Sequence, residues 1–339
     1  MKRRVLHILI WAGLGILISD LFYRYCFEIL AVPTSSMQDT IEAGDYVWVN
    51  KMIPGPRFST NKPDKYRRLR ISRPLSYSDV VVFNFPEADT IIDSRPGESY
   101  YLLRRKHPNL DSLLMNAGWG KLLTLDVKNR PRMVKRIVGL PGDTIEIRNG
   151  LLHINGLFSL EDAAVINTLQ WTGQPNELND ILKQAALSAA PFTNNDKLYV
   201  QLSDEDLLKL GDHANDLQRE SLSVGIPDPF VFPFQRSWGW NADNLGPIYL
   251  PRKDDTIDLN PRNFAIYKRM ICVFENVNLQ QKGESYFIDD IPVSSYTFKL
   301  SYYWTHGDNR PRSFDSRYWG PVPENHIVGV IVRKKHGRS

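Results

Sequence analysis

A serine near the N-terminus and a lysine much later in the chain are the residues best suited to do chemistry here. Ser36 lies in the run PTSSM at 33–37, and Lys135 lies in the strand-like run MVKRIV at 133–138. A serine hydroxyl becomes a good nucleophile when a neighbour removes its proton, and a lysine can do this only as the free amine. Burial against apolar groups favours the free amine because it disfavours the charged form. The two residues are therefore predicted to act as nucleophile and base.

The strand that carries the lysine supports this interpretation. Alternation along a strand places Met133, Lys135 and Ile137 on one face, so Lys135 projects among apolar partners. Taken alone, the lysine has a second interpretation as an ordinary edge-strand charge that discourages aggregation.

An apolar segment at 5–18 precedes the serine. Lys2, Arg3 and Arg4 come before it and favour a cytoplasmic N-terminus. Residues 21–23 extend the segment toward the roughly 20 residues needed to cross a bilayer. We therefore expect an uncleaved membrane anchor at 1–25. The alternative is a cleavable signal peptide, but no small-x-small site follows the segment at the usual distance.

The rest of the chain reads mainly as short strands and turns. β-rich runs occur at 46–49, 80–83, 134–138, 144–147 and 152–154, and Asn149-Gly150 predicts a hairpin turn. Two runs with helical character, at 177–187 and 203–208, interrupt this pattern. We expect a mainly β fold with a catalytic core at 31–156 and 246–335. An α-containing accessory insertion is expected at 157–245.

Composition narrows the function classes. The 339-residue chain is 42% hydrophobic, which allows a substantial core, and its formal net charge is only +4. Lys and Arg are dispersed, so nucleic acid is not the expected partner. The two cysteines, Cys26 and Cys272, cannot form a disulfide framework or a metal cluster.

Four sequence blocks together carry a family resemblance. They are PTSSM at 33–37, YSDVVVF at 77–83, MVKRIVGLPGD at 133–143, and GDNR at 307–310 leading to SFDSRYWG at 313–320. In this order they resemble the bacterial type I signal peptidases. The resemblance implies a coiled antiparallel β-sheet core and a membrane-bound serine endopeptidase that needs no metal or cofactor. Its substrates would be preproteins with signal peptides cleaved after Ala-x-Ala.

The resemblance also implies a location and partners. The enzyme would sit in the cytoplasmic membrane as a single-pass protein, with its N-terminus in the cytoplasm and its catalytic region on the extracytoplasmic side. Membrane lipid and the export machinery are the expected neighbours.

Roles for supporting residues follow from the same resemblance. Ser36 attacks and Lys135 is the base, while the Thr34 hydroxyl and the backbone N–H of Ser36 hold the oxyanion. Ser313 orients the lysine, and Asp315 and Arg317 form a supporting ion pair. Asp308 shapes the turn that carries them, and Met37 packs behind the nucleophile. The substrate would bind as an added strand between two edges, Ala31, Val32 and Pro33 on one side and Arg132, Met133 and Val134 on the other.

Alternatives stay open from the residues alone. A histidine triad of Ser36, His306 and Asp308 is one, although no Gly-x-Ser-x-Gly elbow surrounds any serine. A Ser/Lys peptidase with one dedicated substrate and a membrane-tethered binding protein are two others. The basic segment 57–73 either meets anionic headgroups or forms a solvated loop. The segment 229–234 either inserts at the membrane interface or packs on the core.

Overall fold

The computed structural model of the chain describes residues 2–69, 72–116, 118–159 and 165–337. Met1 of the expected anchor, residues 70–71 of the basic segment and residues 160–164 of the expected insertion therefore lie outside the described residues.

A seven-stranded antiparallel sheet organises the catalytic region. In chain order its strands are β1 (Phe27–Ala31), β2 (Tyr46–Asn50), β3 (Val80–Asn84), β4 (Arg132–Gly139), β5 (Tyr302–His306), β6 (Val322–Pro323) and β7 (Ile327–Lys335). Their order across the sheet is β1-β2-β7-β3-β4-β5-β6. Three strands separate β1 from β4, yet Arg132 Nη1 of β4 lies 3.3 Å from Glu28 Oε2 of β1. The sheet is therefore curled, as expected, and its curl brings the N-terminal strand back toward the lysine strand.

Both faces of this sheet are covered by apolar side chains. Val81, Phe83 and Ile137 pack with Trp319 on one side, and Val47 and its neighbours pack around Met37 on the other. β-branched and aromatic residues suit such strands because they fit a pleated surface that is buried on both faces.

A second sheet of four strands adjoins the first. Its strands are Thr144–Arg148, Leu151–Ile154, Leu157–Phe158 and Leu245–Tyr249. The predicted Asn149-Gly150 hairpin is confirmed, since both residues have positive φ (50° and 76°), as a type I′ turn requires. Helix Pro261–Arg269 packs against this sheet in the largest apolar cluster.

The region between the two halves of the core forms its own small unit. It contains strands Ile166–Trp171, Phe192–Asn194, Lys197–Ser203 and Leu217–Arg219 and helices Leu178–Gln184 and Asp204–Leu210. Eight buried apolar residues, including Trp171 and Val200, form a separate cluster. The predicted helical run at 203–208 opens with a capping box, in which Ser203 and Asp206 bond each other's backbone. The α-containing character is as expected.

The remaining regular elements are short apart from the first helix. The helices are α1 (Lys2–Tyr25), Tyr100–Lys106, Leu110–Asn116 and Ser316–Trp319. The strands are Arg57–Phe58, Arg67–Arg68, Thr90–Ile92, Leu122–Thr124, Thr256–Asp258, Leu279–Lys282, Ser285–Ile288, Ile291–Val293 and Ser295–Thr297.

Two expectations about the membrane can be compared with these elements. In the part of the chain that the structure describes, no helix is long and apolar enough to cross a membrane, so the expected anchor is not confirmed. Interfacial insertion of 229–234 is wrong, because Val231 and Phe232 are buried in the largest apolar cluster.

Candidate active site

The curled sheet brings the predicted nucleophile and base into contact. Ser36 follows β1 in a tight turn held from behind by the fully buried Met37, and Lys135 projects from the middle of β4. Lys135 Nζ donates to Ser36 Oγ at 2.6 Å and to the carbonyl oxygen of Val134 at 3.1 Å. When the lysine loses its proton, the same contact lets the serine hydroxyl donate to the free amine.

Burial prepares Lys135 to serve as a base. The side chain is 2% exposed, and this withdrawal from water lowers the lysine pKa to about 8 from an ordinary value of 10.5. The carboxylates of Asp315 and Asp308 act in the opposite direction but are outweighed. The edge-strand interpretation of this lysine is therefore wrong, since an edge charge of that kind lies in water.

Thr34 lies beside the nucleophile at the open side of the site. Its Oγ1 is 3.4 Å from Ser36 Oγ, and its side chain is exposed whereas Ser36 is buried. A hydroxyl here can donate toward an oxygen that develops charge next to the serine.

The predicted ion pair beneath the site is present. Arg317 donates to both carboxylate oxygens of Asp315 at 2.9 Å, and both side chains are buried. Although burial by itself raises the pKa of Asp315, the Arg317 guanidinium holds that pKa well below its usual range. Asp315 also accepts from the backbone N–H of Gly307 at 3.3 Å, so the pair holds the segment that flanks the nucleophile.

Ser313 does not make the expected bond to the lysine. Its Oγ is buried and lies near the Asp315 carboxylate, whose pKa it helps to lower, while Lys135 Nζ bonds Ser36 and Val134. Gly307 fills the adjacent space: a Cβ there would lie 2.2 Å from Ser313 Oγ and 2.5 Å from the carbonyl oxygen of Ser36. Ser313 therefore belongs to the wall of the site, packed against the segment that supports the nucleophile.

The two expected substrate edges both have an unoccupied side. Among the residues that the structure describes, β1, which ends at Ala31, pairs only with β2, and β5 pairs with β4 only from Arg136 onward. Within the described ranges, Arg132, Met133 and Val134 thus have a strand partner on one side alone. Val32 is buried, whereas Ala31 and Pro33 are exposed beside it. An extended peptide can pair with such edges through its main chain.

A buried network missed by sequence reasoning lies on the other face of β4. The Arg136 guanidinium bonds both Asp308 carboxylate oxygens, at 2.8 and 2.7 Å, and donates to the Thr40 hydroxyl at 3.0 Å. The next residue, Asn309, donates its backbone N–H to the carbonyl oxygen of Ser36 at 3.1 Å. Alternation puts Arg136 opposite Lys135, which was a usable signal, but its partner is 172 residues away in sequence.

These contacts also decide against a histidine triad. Asp308 is engaged by Arg136 and Thr40, and His306 accepts from Trp304 Nε1 at 2.8 Å. In the described parts of the chain, no group of three His, Cys, Asp or Glu side chains could hold a metal ion.

Comparison with known proteins points in one direction. The family model described as signal peptidase, peptidase S26, matches residues 2–216 and 254–334. The signal peptidase I of Buchnera aphidicola subsp. Schizaphis graminum (strain Sg) is 22% identical over 309 residues, 91% of this chain and 68% of the relative. That of Buchnera aphidicola subsp. Baizongia pistaciae (strain Bp) is 24% identical over 306 residues, 90% of this chain and 68% of the relative.

Among solved structures, a signal peptidase I of Enterococcus faecalis V583 matches at 16% identity with a TM-score of 0.24. The match covers 77% of this chain and 98% of that one. Because the family model matches most of the chain, the chain belongs to the signal peptidase family, peptidase S26, and is a serine endopeptidase of the signal peptidase I type.

Proposed function

We propose that Ser36 and Lys135 carry out the hydrolysis of signal peptides as nucleophile and general base. The observation that carries this proposal is the 2.6 Å contact between a buried lysine amine and the serine hydroxyl. As a free amine, Lys135 accepts the hydroxyl proton while Ser36 Oγ attacks the scissile carbonyl carbon. The resulting ammonium donates that proton to the leaving amine, and the lysine then activates the water that hydrolyses the acyl-enzyme.

The developing oxyanion needs donors that are in place before the reaction. The backbone N–H of Ser36 and the hydroxyl of Thr34 are proposed for this role, supported by the position of Thr34 beside the nucleophile. Asp315 and Arg317 hold the segment behind the site. Ser313 contributes packing against that segment.

The preprotein is proposed to bind as an extended strand between the two edges. Ala31, Val32 and Pro33 form one edge, and the free side of 132–134 forms the other. Small side chains are proposed at the positions before the cut, as the resemblance to signal peptidases implies. The proposed catalytic core comprises 31–156 and 246–335, with 157–245 as an accessory unit, a division supported by the separate apolar cluster of that unit.

We place this activity at the outer face of the cytoplasmic membrane. Helix α1 exposes large apolar side chains along its length, including Leu9, Trp11, Ile16 and Phe22. Such a surface is stable in contact with lipid and costly in water. The nucleophile follows this helix closely, so the site would lie near the membrane surface where signal peptides emerge.

Cleavage of a fluorogenic Ala-x-Ala peptide by the full chain in detergent micelles tests the chemistry. Ser36→Ala and Lys135→Ala should each lower kcat/KM by at least about 10³-fold, because residues that act as a unit fail together. Ser35→Ala and Lys121→Ala are matched controls that keep activity, since both change the same residue types outside the contact. Turnover at the intact level in either of the first two variants would reject the mechanism.

A further inference from the structure

A large cavity lies where helix α1 meets the catalytic sheet. Its volume is about 680 Å³, and the last turns of α1, the start of β1 and the segment 56–62 line it. Six basic residues contribute to its wall: Arg24, Lys51, Arg57, Lys62, Lys128 and Arg132. Among the described residues, two acidic side chains, Asp20 and Glu28, also line the cavity. The excess of positive charge at this one cavity is as large as the formal net charge of the whole chain, +4.

Both acidic residues of the cavity already form ion pairs with its basic residues. Glu28 accepts from Lys51 at 2.8 Å and from Arg132 at 3.3 Å, and Asp20 pairs with Arg24 at 3.0 Å. In the described part of the chain this leaves Arg57, Lys62 and Lys128 with no carboxylate partner. The cavity therefore carries more positive charge than its two carboxylates neutralise.

The hydrogen bonds that the structure gives to Arg57 go to neutral groups. Its Nη1 donates to the Asn84 side chain and to the backbone carbonyl oxygens of Asn325 and His326, at 2.8–3.0 Å. All three acceptors are neutral. Burial, with added repulsion from Arg68, lowers the Arg57 pKa to about 9. An anion in the cavity would relieve both effects.

The surroundings of the cavity indicate the kind of anion. Aromatic rings gather at the end of α1, where Phe22 stacks on Phe27 at 5.6 Å and Tyr25 stacks on Phe58 at 5.8 Å between ring centroids. Lys51 ties this end to the sheet by donating to the carbonyl oxygens of Tyr23 and Arg24. Aromatic rings at the end of an apolar helix are typical of the headgroup region of a membrane.

We propose that this cavity binds the phosphate of an anionic phospholipid headgroup. The inference rests on the membrane placement proposed above. The phosphate would face Arg57, Lys62 and Lys128, while the acyl chains would lie along the apolar surface of α1. Charge-assisted bonds from arginine and lysine are the usual way in which proteins hold phosphate. A bound lipid would then join the helix to the catalytic region beside the substrate edge.

Thermal unfolding of the full chain in neutral detergent micelles tests the site. The probes are dihexanoyl-phosphatidylglycerol, dihexanoyl-phosphatidylcholine and inorganic phosphate, each titrated separately. A ligand that binds only the native state raises Tm in a saturable way. Phosphatidylglycerol should do so, and the other two should not do so at the same concentrations. Equal stabilisation by phosphatidylcholine, or by inorganic phosphate, would overturn the assignment to an anionic lipid.

Two double variants make the test specific. Lys62→Gln with Lys128→Gln should weaken the apparent affinity for phosphatidylglycerol roughly 10- to 30-fold, from about 1 kcal/mol per lysine. Lys65→Gln with Lys121→Gln removes the same charge from exposed residues that do not line the cavity, and should leave the affinity unchanged. Equal loss in both variants, or loss in neither, would overturn the proposal. Neither pair touches Ser36 or Lys135, so peptide cleavage in the same micelles checks the proposed function separately.

Discussion

Two neighbouring basic residues on strand β4 have partners of different kinds. Lys135 and Arg136 project from opposite faces, and both are largely buried, at 2% and 8% exposed. Arg136 holds Asp308 through two bonds, whereas the contacts of Lys135 are with a serine hydroxyl and a backbone carbonyl. A buried charge with a carboxylate partner stays charged, and one without a close partner gives up its proton more easily.

Arg136 stabilises the structure around the site, whereas Lys135 contacts the predicted nucleophile. On the Arg136 face, the ion pair secures the loop whose Asn309 bonds the nucleophile's own carbonyl oxygen. On the Lys135 face, burial lowers the lysine pKa to about 8, and the described residues place no carboxylate in hydrogen-bond contact with the amine. A lysine that serves as a base needs to lack a close carboxylate, because a strong ion pair would keep its amine protonated.

Breaking the ion pair on the structural face should give the largest loss of stability. Asp308→Ala removes the carboxylate that accepts two bonds from the buried Arg136, and we expect the free energy of unfolding to fall by about 3–5 kcal/mol. Urea denaturation of the full chain in micelles measures this. Asp180→Ala is the control, because its pair with Lys183 is exposed and worth under about 0.5 kcal/mol. Equal losses in the two variants would remove the distinction between the two faces.

A change on the reactive face should reduce activity and spare stability. Thr34→Val removes the proposed oxyanion donor while keeping the shape, so kcat/KM should fall roughly 10²–10³-fold. The change in the free energy of unfolding should stay below about 1 kcal/mol, since Thr34 is exposed. Thr34→Ser keeps the hydroxyl and should retain most activity. A valine variant as active as the intact chain would exclude Thr34 from the oxyanion site.

Removing the lysine charge should stabilise the fold, the reverse of the Asp308 result. The folded-state pKa of about 8 lies below the ordinary 10.5, so the charged lysine penalises the native state at pH values below about 8. Lys135→Met should therefore raise the free energy of unfolding at neutral pH by about 1–3 kcal/mol, while abolishing cleavage. The native state binds fewer protons here, so the gain should fade as the pH rises from about 8 toward 10.5. Arg136→Met, in contrast, should destabilise at every pH in this range.

The pH dependence of cleavage should reflect the titration of the same lysine. Below about pH 8 the free amine becomes rarer, so kcat/KM should fall about tenfold for each pH unit and level off above that value. Initial rates with the fluorogenic peptide from about pH 6 to about pH 9.5 measure it. A flat profile below pH 8 would mean that Lys135 is not the base.

Local sequence patterns were sufficient for much of the fold and for selecting the serine and lysine that the structure brings into contact. The strands around Val81 and Lys135 and the Asn149-Gly150 hairpin were predicted because alternation and turn preferences act over a few residues. The helical runs between the β-rich blocks were predicted from their change of periodicity, and the division at 157–245 stays a prediction. In the described residues, Lys135 Nζ bonds Ser36 and Val134 and not Ser313, because a short motif does not fix how neighbouring side chains orient; Ser313 Oγ packs against Gly307.

Residue type and the two-residue period of a strand were enough to select Ser36, Lys135 and the strand face that carries the lysine, and their roles as nucleophile and base stay predictions. Tertiary structure decided which carboxylate meets which cation. The curl of the sheet brings Glu28 to Arg132 and Ser36 to Lys135. The return of the chain at Asp308 supplies the carboxylate that pairs with Arg136. Burial, pKa and the charge excess beside α1 depend on these distant contacts, which no local pattern encodes.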